Sequence, residues 1–217
     1  MRTSTRPDPV PLVADDPRPV GWPAGLMLLG GLGFVSVYVV AVLSTRGQSI
    51  DSGVMDAVTV TGSRHDLLSS LLPNPYLLLA LALGLGALAL LRHVRTGLAV
   101  LVAVPLLVAS TQVLKDVLPR PQLADAWAMA NSLPSGHTGA ALALALALLL
   151  VSPRRLRPVA ALVGTVVSLW MGALVVLLGF HRPSDVLASA FLAVGAGGLG
   201  LLVRGRAPGS MTRRLPG

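Results

Sequence analysis

Ala141-Leu142-Ala143-Leu144-Ala145-Leu146 is the stretch on which the fold turns. Small and large residues alternate with period two, the period of a β-strand. Both alternating sets are apolar, however, whereas a membrane-barrel strand alternates apolar with polar residues. The apolar run around it covers 136–151, longer than a strand. A helix is therefore expected. Five further apolar runs flank it, at roughly 20–44, 74–91, 97–116, 158–179 and 184–203. A bilayer span takes about 20 residues, so the 136–151 run is marginal and has to borrow residues at its ends. The expected fold class is all-α, a polytopic membrane bundle of six transmembrane helices.

Composition agrees. The 217 residues are 53% hydrophobic and only 12% charged, with a mean hydropathy of +0.76. A soluble domain carries roughly 25% charged residues. The net charge of +8 would suit a nucleic-acid binder, but the arginines sit in short clusters between apolar runs and at the ends, as membrane-flanking residues do. A nucleic-acid partner is not expected. With no Cys, disulfides and Cys-ligated metals are excluded. All nine acidic residues are Asp, and Lys115 is the single Lys beside sixteen Arg. Heavy Arg, Ala, Leu, Val and Gly usage suggests a GC-rich bacterial genome. The first apolar run is too long for a cleaved signal and reads as a retained signal anchor.

Basic residues set the expected orientation. With the N-terminus inside, the tails and the 92–96 and 152–157 loops hold twelve Arg, whereas the opposite side holds Arg46, Arg64, Lys115, Arg120 and Arg182. That bias places both termini in the cytoplasm. The chain then divides into a cytoplasmic tail 1–19, a membrane domain 20–203 and a basic cytoplasmic tail 204–217. The connection 45–73 holds Asp51, Asp56, Arg64, His65 and Asp66. It is too polar to span and suits an amphipathic cap over the outer face. Ser189, Ala193 and Gly197, at four-residue steps, would let the last helix pack closely on a neighbour.

Three segments end at that outer face by topology alone. Lys115-Asp116-Val117-Leu118-Pro119-Arg120-Pro121-Gln122 leaves the third helix. Asn131-Ser132-Leu133-Pro134-Ser135-Gly136-His137-Thr138 enters the fourth, and Gly179-Phe180-His181-Arg182-Pro183-Ser184-Asp185 enters the sixth. Ionisable residues at membrane depth are functional candidates. His181 and Asp185 are four apart; on a helix they share a face, so the carboxylate would orient the imidazole and leave its other nitrogen as nucleophile or base. Ser135-Gly136 opens a helix whose backbone N–H groups suit an anion such as phosphate, with His137 beside it. Lys115 is a cation that either snorkels or anchors a phosphate.

Taken together these residues resemble the type-2 phosphatidic acid phosphatase (lipid phosphate phosphatase) family, membrane branch. The resemblance lies in Pro134-Ser135-Gly136-His137 and His181-Arg182-Pro183-Ser184-Asp185, with Lys115 upstream, and covers about 97–203. It implies that His181 attacks phosphorus and forms a phosphohistidine. Asp185 would orient His181. His137 would protonate the leaving alcohol and then activate water. Lys115, Ser135 and Gly136 would hold the phosphoryl oxygens, with no metal or other cofactor. The substrate implied is a lipid phosphate: polyprenyl mono- or diphosphate, phosphatidate or phosphatidylglycerol phosphate.

Two positions depart from the family pattern. Where its arginines would stand, counting from Lys115 and from His181, the chain has Gln122 and Val175. A neutral side chain does not replace a bidentate guanidinium. Arg120 and Arg182 lie at the same face and are the candidate substitutes. Besides a phosphatase, the pattern therefore admits a degenerate member that binds lipid phosphate or a membrane partner without turnover, or a lipid phosphotransferase.

Overall fold

The computed structural model describes residues 21–124 and 131–205. The expected tails, apart from Arg204 and Gly205, lie outside those residues. Eight α-helices follow in order: α1 Gly21–Val37, extended by a π-helical turn Tyr38–Val42, then α2 Thr45–Val58, α3 Ser63–Ser70, α4 Pro75–Leu90, α5 Val94–Val117, α6 Gly136–Val151, α7 Arg157–Leu177 and α8 Pro183–Arg204. There is no strand among the described residues.

Among the described residues, five helical segments are long and apolar enough to cross a membrane: Gly21–Val42, Ser63–Leu90, Val94–Val117, Arg157–Leu177 and Pro183–Arg204. Helix α6 is apolar but has only 16 residues. The six apolar runs of the sequence each correspond to one of α1, α4, α5, α6, α7 and α8, with ends within a few residues. The 45–73 connection adds α2 and α3.

Local chemistry explains the helix starts. Asn74 caps α4, accepting from the amides of Tyr76 at 2.9 Å and Leu77 at 3.2 Å, and Pro75 follows in the first turn. Ser44 caps α2 by accepting from the Gly47 amide at 3.0 Å. Pro105 lies inside α5, which a membrane helix tolerates because neighbours re-satisfy the freed carbonyl.

Helices α6 and α8 form the centre. α6 packs on α4, α5, α7 and α8; α8 packs also on α1 and α5. The period-two alternation of α6 resolves into a helical stripe, with Ala143, Leu146, Ala147 and Leu150 buried against Ala99, Val100, Ala103 and Val104 of α5. Conversely Leu28, Leu32, Leu77, Leu88, Leu162 and Leu169 are exposed on the outside of the bundle. Such a large apolar surface fits lipid and not water.

Between lipid-bathed helices apolar burial supplies no drive, so close van der Waals approach has to. Of the small residues expected to serve it on α8, Ser189 is buried and its hydroxyl donates to the Ser135 carbonyl at 2.9 Å. Close backbone approach runs instead through glycines at the α1–α8 contact. A Cβ on Gly30 would lie 2.4 Å from the Gly195 nitrogen and 2.7 Å from the Phe191 oxygen. One on Gly198 would lie 2.5 Å from the Pro23 oxygen. Added to Gly195, by contrast, it would meet nothing nearer than 3.8 Å.

That asymmetry is testable. Gly30→Ala is expected to destabilise the fold by about 1–3 kcal/mol through overpacking against backbone, while Gly195→Ala is tolerated. Thermal unfolding in detergent checks both; equal midpoints for the two variants would refute this account of the α1–α8 contact.

Candidate active site

The end of α5 and the starts of α6 and α8 meet at one end of the bundle, stitched by side chains. Asn131 Nδ2 donates to the carbonyls of Lys115 at 3.1 Å and Leu118 at 2.8 Å, tying the segment before α6 to the end of α5. The Ser135 amide donates to the Asp185 carbonyl at 3.1 Å, and Ser132 Oγ donates to Asp185 Oδ2 at 2.5 Å. These bonds lock the start of α6 onto the start of α8.

Asp185 is the centre of this network and has no exposed surface. Its Oδ2 accepts from Ser132 and from the Arg182 amide at 3.0 Å, and lies 3.3 Å from His181 Nδ1. Its Oδ1 lies 3.6 Å from Arg120 Nη1. The His181–Asp185 pair does not arise as the spacing suggested. His181 stands outside α8, before the N-cap Arg182. The two meet because Asp185, in the first turn, folds back onto the Arg182 amide. The turn from α7 delivers His181. Gly179 takes a positive φ of 74°, open to glycine, and the Val175 carbonyl accepts from the amides of Phe180 at 2.9 Å and His181 at 3.1 Å. The tautomer with its proton on Nδ1 donates to Asp185 and leaves Nε2 with a lone pair.

His137, one residue inside α6, puts its ring centroid 6.1 Å from that of His181, with planes at 62°. Lys115, in the last turn of α5, lies within electrostatic reach of His137. Ser135 caps α6, its Oγ accepting from the Thr138 amide at 3.3 Å. Its hydroxyl and amide are thus both engaged, and the first-turn amides left facing outward are those of Gly136 and His137.

The two candidate arginines, Arg120 and Arg182, both come to the neighbourhood of Asp185. Arg182 Nη1 donates to Ser132 Oγ at 3.1 Å, so Ser132 bridges the guanidinium and the carboxylate. Arg120 lies between two carboxylates, with Nη2 3.6 Å from Asp51 Oδ2 and Nη1 3.6 Å from Asp185 Oδ1. Gln122 is exposed and its Nε2 donates to the Ala124 carbonyl at 3.1 Å. Val175 is fully buried, packed with Ala140, Ala141 and Met171.

Sequence reasoning missed four participants. Ser132 was quoted within its segment without a role. Asp51 and Gln48 come from α2, far away in sequence. Ser184 donates to Asp51 through both its amide, at 3.2 Å, and its hydroxyl. Burial pushes the Asp51 carboxyl up, and the Ser184 bonds oppose that shift. The available signal for Asp51 was an acidic residue in a polar connection that topology places over the same face.

Ser132→Ala would leave Arg182 and Asp185 each short of a buried partner. A loss of about 1–3 kcal/mol is expected, read as a lowered unfolding midpoint in detergent; an unchanged midpoint would show the bridge to be dispensable.

The profile of the PAP2 superfamily matches residues 96–207, just over half of the chain. Searches of curated proteins and of solved structures gave no match. The match takes in α5 to α8 and with them Lys115, His137, His181 and Asp185, and leaves α1 to α4 outside. The chain belongs to the PAP2 superfamily, whose members are phosphatases, and is a membrane protein with a phosphohydrolase-type function.

Proposed function

We propose that the chain is a six-span lipid phosphatase of the bacterial cell membrane, both termini cytoplasmic, hydrolysing a lipid phosphomonoester or diphosphate at the extracytoplasmic face. The observation that carries this is the buried His181–Asp185 pair, 3.3 Å apart, with the His137 ring beside it. Helix α6, though 16 residues long, completes the sixth crossing with the residues at its ends.

In the first step the Nε2 lone pair of His181 attacks phosphorus and forms a P–N bond. The P–O bond to the lipid alcohol breaks, and His137 delivers a proton to the departing oxygen. Asp185 holds the Nδ1 proton and offsets the imidazolium charge. In the second step His137 takes a proton from water, the hydroxide attacks phosphorus, and the P–N bond breaks to release phosphate and restore His181. Lys115 and the open amides of Gly136 and His137 hold phosphoryl oxygens, and Ser135 shapes that turn. Arg120 supplies a guanidinium: its Nη1 is buried with no hydrogen-bond partner among the described residues. Arg182 acts beside it through Ser132.

A groove of about 430 Å³ beside Asp51 and Ser184 has the apolar walls a lipid chain requires, with Val37, Val40, Ile50 and Leu187 among them. It favours polyprenyl or phospholipid substrates over soluble phosphates. One observation favours a second reading, a binder without turnover. Gln122 and Val175 provide no clamp, and Arg120 faces two carboxylates.

Phosphate release from a panel of lipid phosphates by detergent-purified protein separates these. Wild type is expected to release phosphate, and His181→Ala to lose about a thousandfold or more. Asp185→Asn is expected to cost about 10²–10⁴ in kcat, since the imidazole then loses its charged partner. Lipid binding with no release across the panel would establish the binder; labelled phosphate passed to an added acceptor lipid would establish a phosphotransferase.

A further inference from the structure

The π-helical turn after α1 and helix α2 lie outside the segment matched to the superfamily, yet together they touch the Arg120 segment on both sides of the arginine. Gln48 Nε2 donates to the Pro121 carbonyl at 2.7 Å and to the Val42 carbonyl at 2.7 Å. Gln48 Oε1 accepts from the Leu123 amide at 3.1 Å. One amide side chain thus pairs with 121–123 as a neighbouring strand would, using its donor and its acceptor. On the near side, Tyr38 Oη donates to the Pro119 carbonyl at 2.6 Å. Asp51, three residues after Gln48 and hence on the same helical face, reaches the guanidinium itself.

An exposed segment after α5 has no ladder partner of its own, and a charged side chain left to itself would turn to water or headgroups. Instead Gln48 and Asp51 are buried, and the Arg120 side chain keeps only 7% of its surface exposed. Asp51 is in turn anchored by Ser184, in the first turn of α8, close to Asp185. The clamp therefore runs from α2 through Arg120 to the proposed nucleophile's partner.

We propose that Gln48 and Asp51 are positioning residues that hold Arg120 in the phosphate site as the replacement for an arginine displaced from Gln122. The assignment rests on the phosphatase reading for the role of the site, but not for the placement of Arg120. It makes α2 part of the working site and explains how an arginine two residues early serves: the segment is gripped by its backbone, and the register is set by Gln48.

Two measurements on detergent-purified full-length protein test it. The first is phenylglyoxal modification of Arg120, followed by peptide mass mapping. Arg120 is expected to react at least about tenfold more slowly than exposed Arg64, and Gln48→Ala, Asp51→Asn and their combination to bring it toward the Arg64 rate. An Arg120 equally protected in the double variant would overturn the positioning. The second is orthovanadate affinity by calorimetry. Asp51→Asn is expected to weaken it about tenfold, and to weaken it no further in an Arg120→Ala background. A loss of the same size in both backgrounds would mark Asp51 as merely structural and overturn the proposal, as would an unaltered affinity when Arg120 has been freed. Wild type that neither releases phosphate nor binds vanadate would refute the phosphatase reading instead, and the protection of Arg120 would then decide its positioning alone.

Discussion

A carboxylate with no exposed surface, at the end of an apolar bundle, has to be met by donors on every side. Asp185 is that group. An unpaired charge there would cost several kcal/mol, and the chain spends four elements on preventing it. Ser132 comes from the segment before α6, the Arg182 amide from the start of α8, His181 from the turn after α7, and Arg120 from the segment after α5. The same contacts that surround the carboxylate, hydrogen bonds at Oδ2 and the Arg120 charge at Oδ1, thus converge the ends of the helices. Stability of the site and geometry of the site are here one requirement.

The bundle beneath serves this by close approach and not by hydrophobic force. α6 and α8 carry the small residues and sit centrally, and their first turns bear His137 and Asp185. Two helices gripped along their length cannot move their N-terminal ends independently. The capping bonds at Ser135 and Asp185 then place the side chains relative to those ends. Rigid spans, strong caps and a short positive-φ turn at Gly179 together provide the preorganisation that phosphoryl chemistry depends on.

The cap formed by α2 has a different character. It meets the site through polar contacts, Gln48 with backbone and Asp51 with Ser184 and Arg120. Polar grips of this kind fix register without adding apolar burial. They also alter the electrostatics: the two candidate clamp arginines face two carboxylates, Asp51 and Asp185. On the proposed reading Asp51 positions Arg120 for phosphate, so the affinity of the site would depend on a helix outside the family's matched segment.

The sequence alone determined six apolar runs and their helical nature. The bilayer forbids unpaired backbone, and a strand would have needed polar alternation. It also led to the expectation that Lys115, His137, His181 and Asp185 end on one side, because successive helices alternate in direction, and the structure gathers them at one end of the bundle. It misjudged how His181 meets Asp185, since a four-residue spacing is silent about whether both lie in the helix. Only the tertiary structure decided what Arg120, Arg182, Ser132, Gln48 and Asp51 do. Their partners lie up to 133 residues away, as Ser184 does from Asp51. The direction of a long polar side chain is set by which buried charge needs it, and no local pattern encodes that.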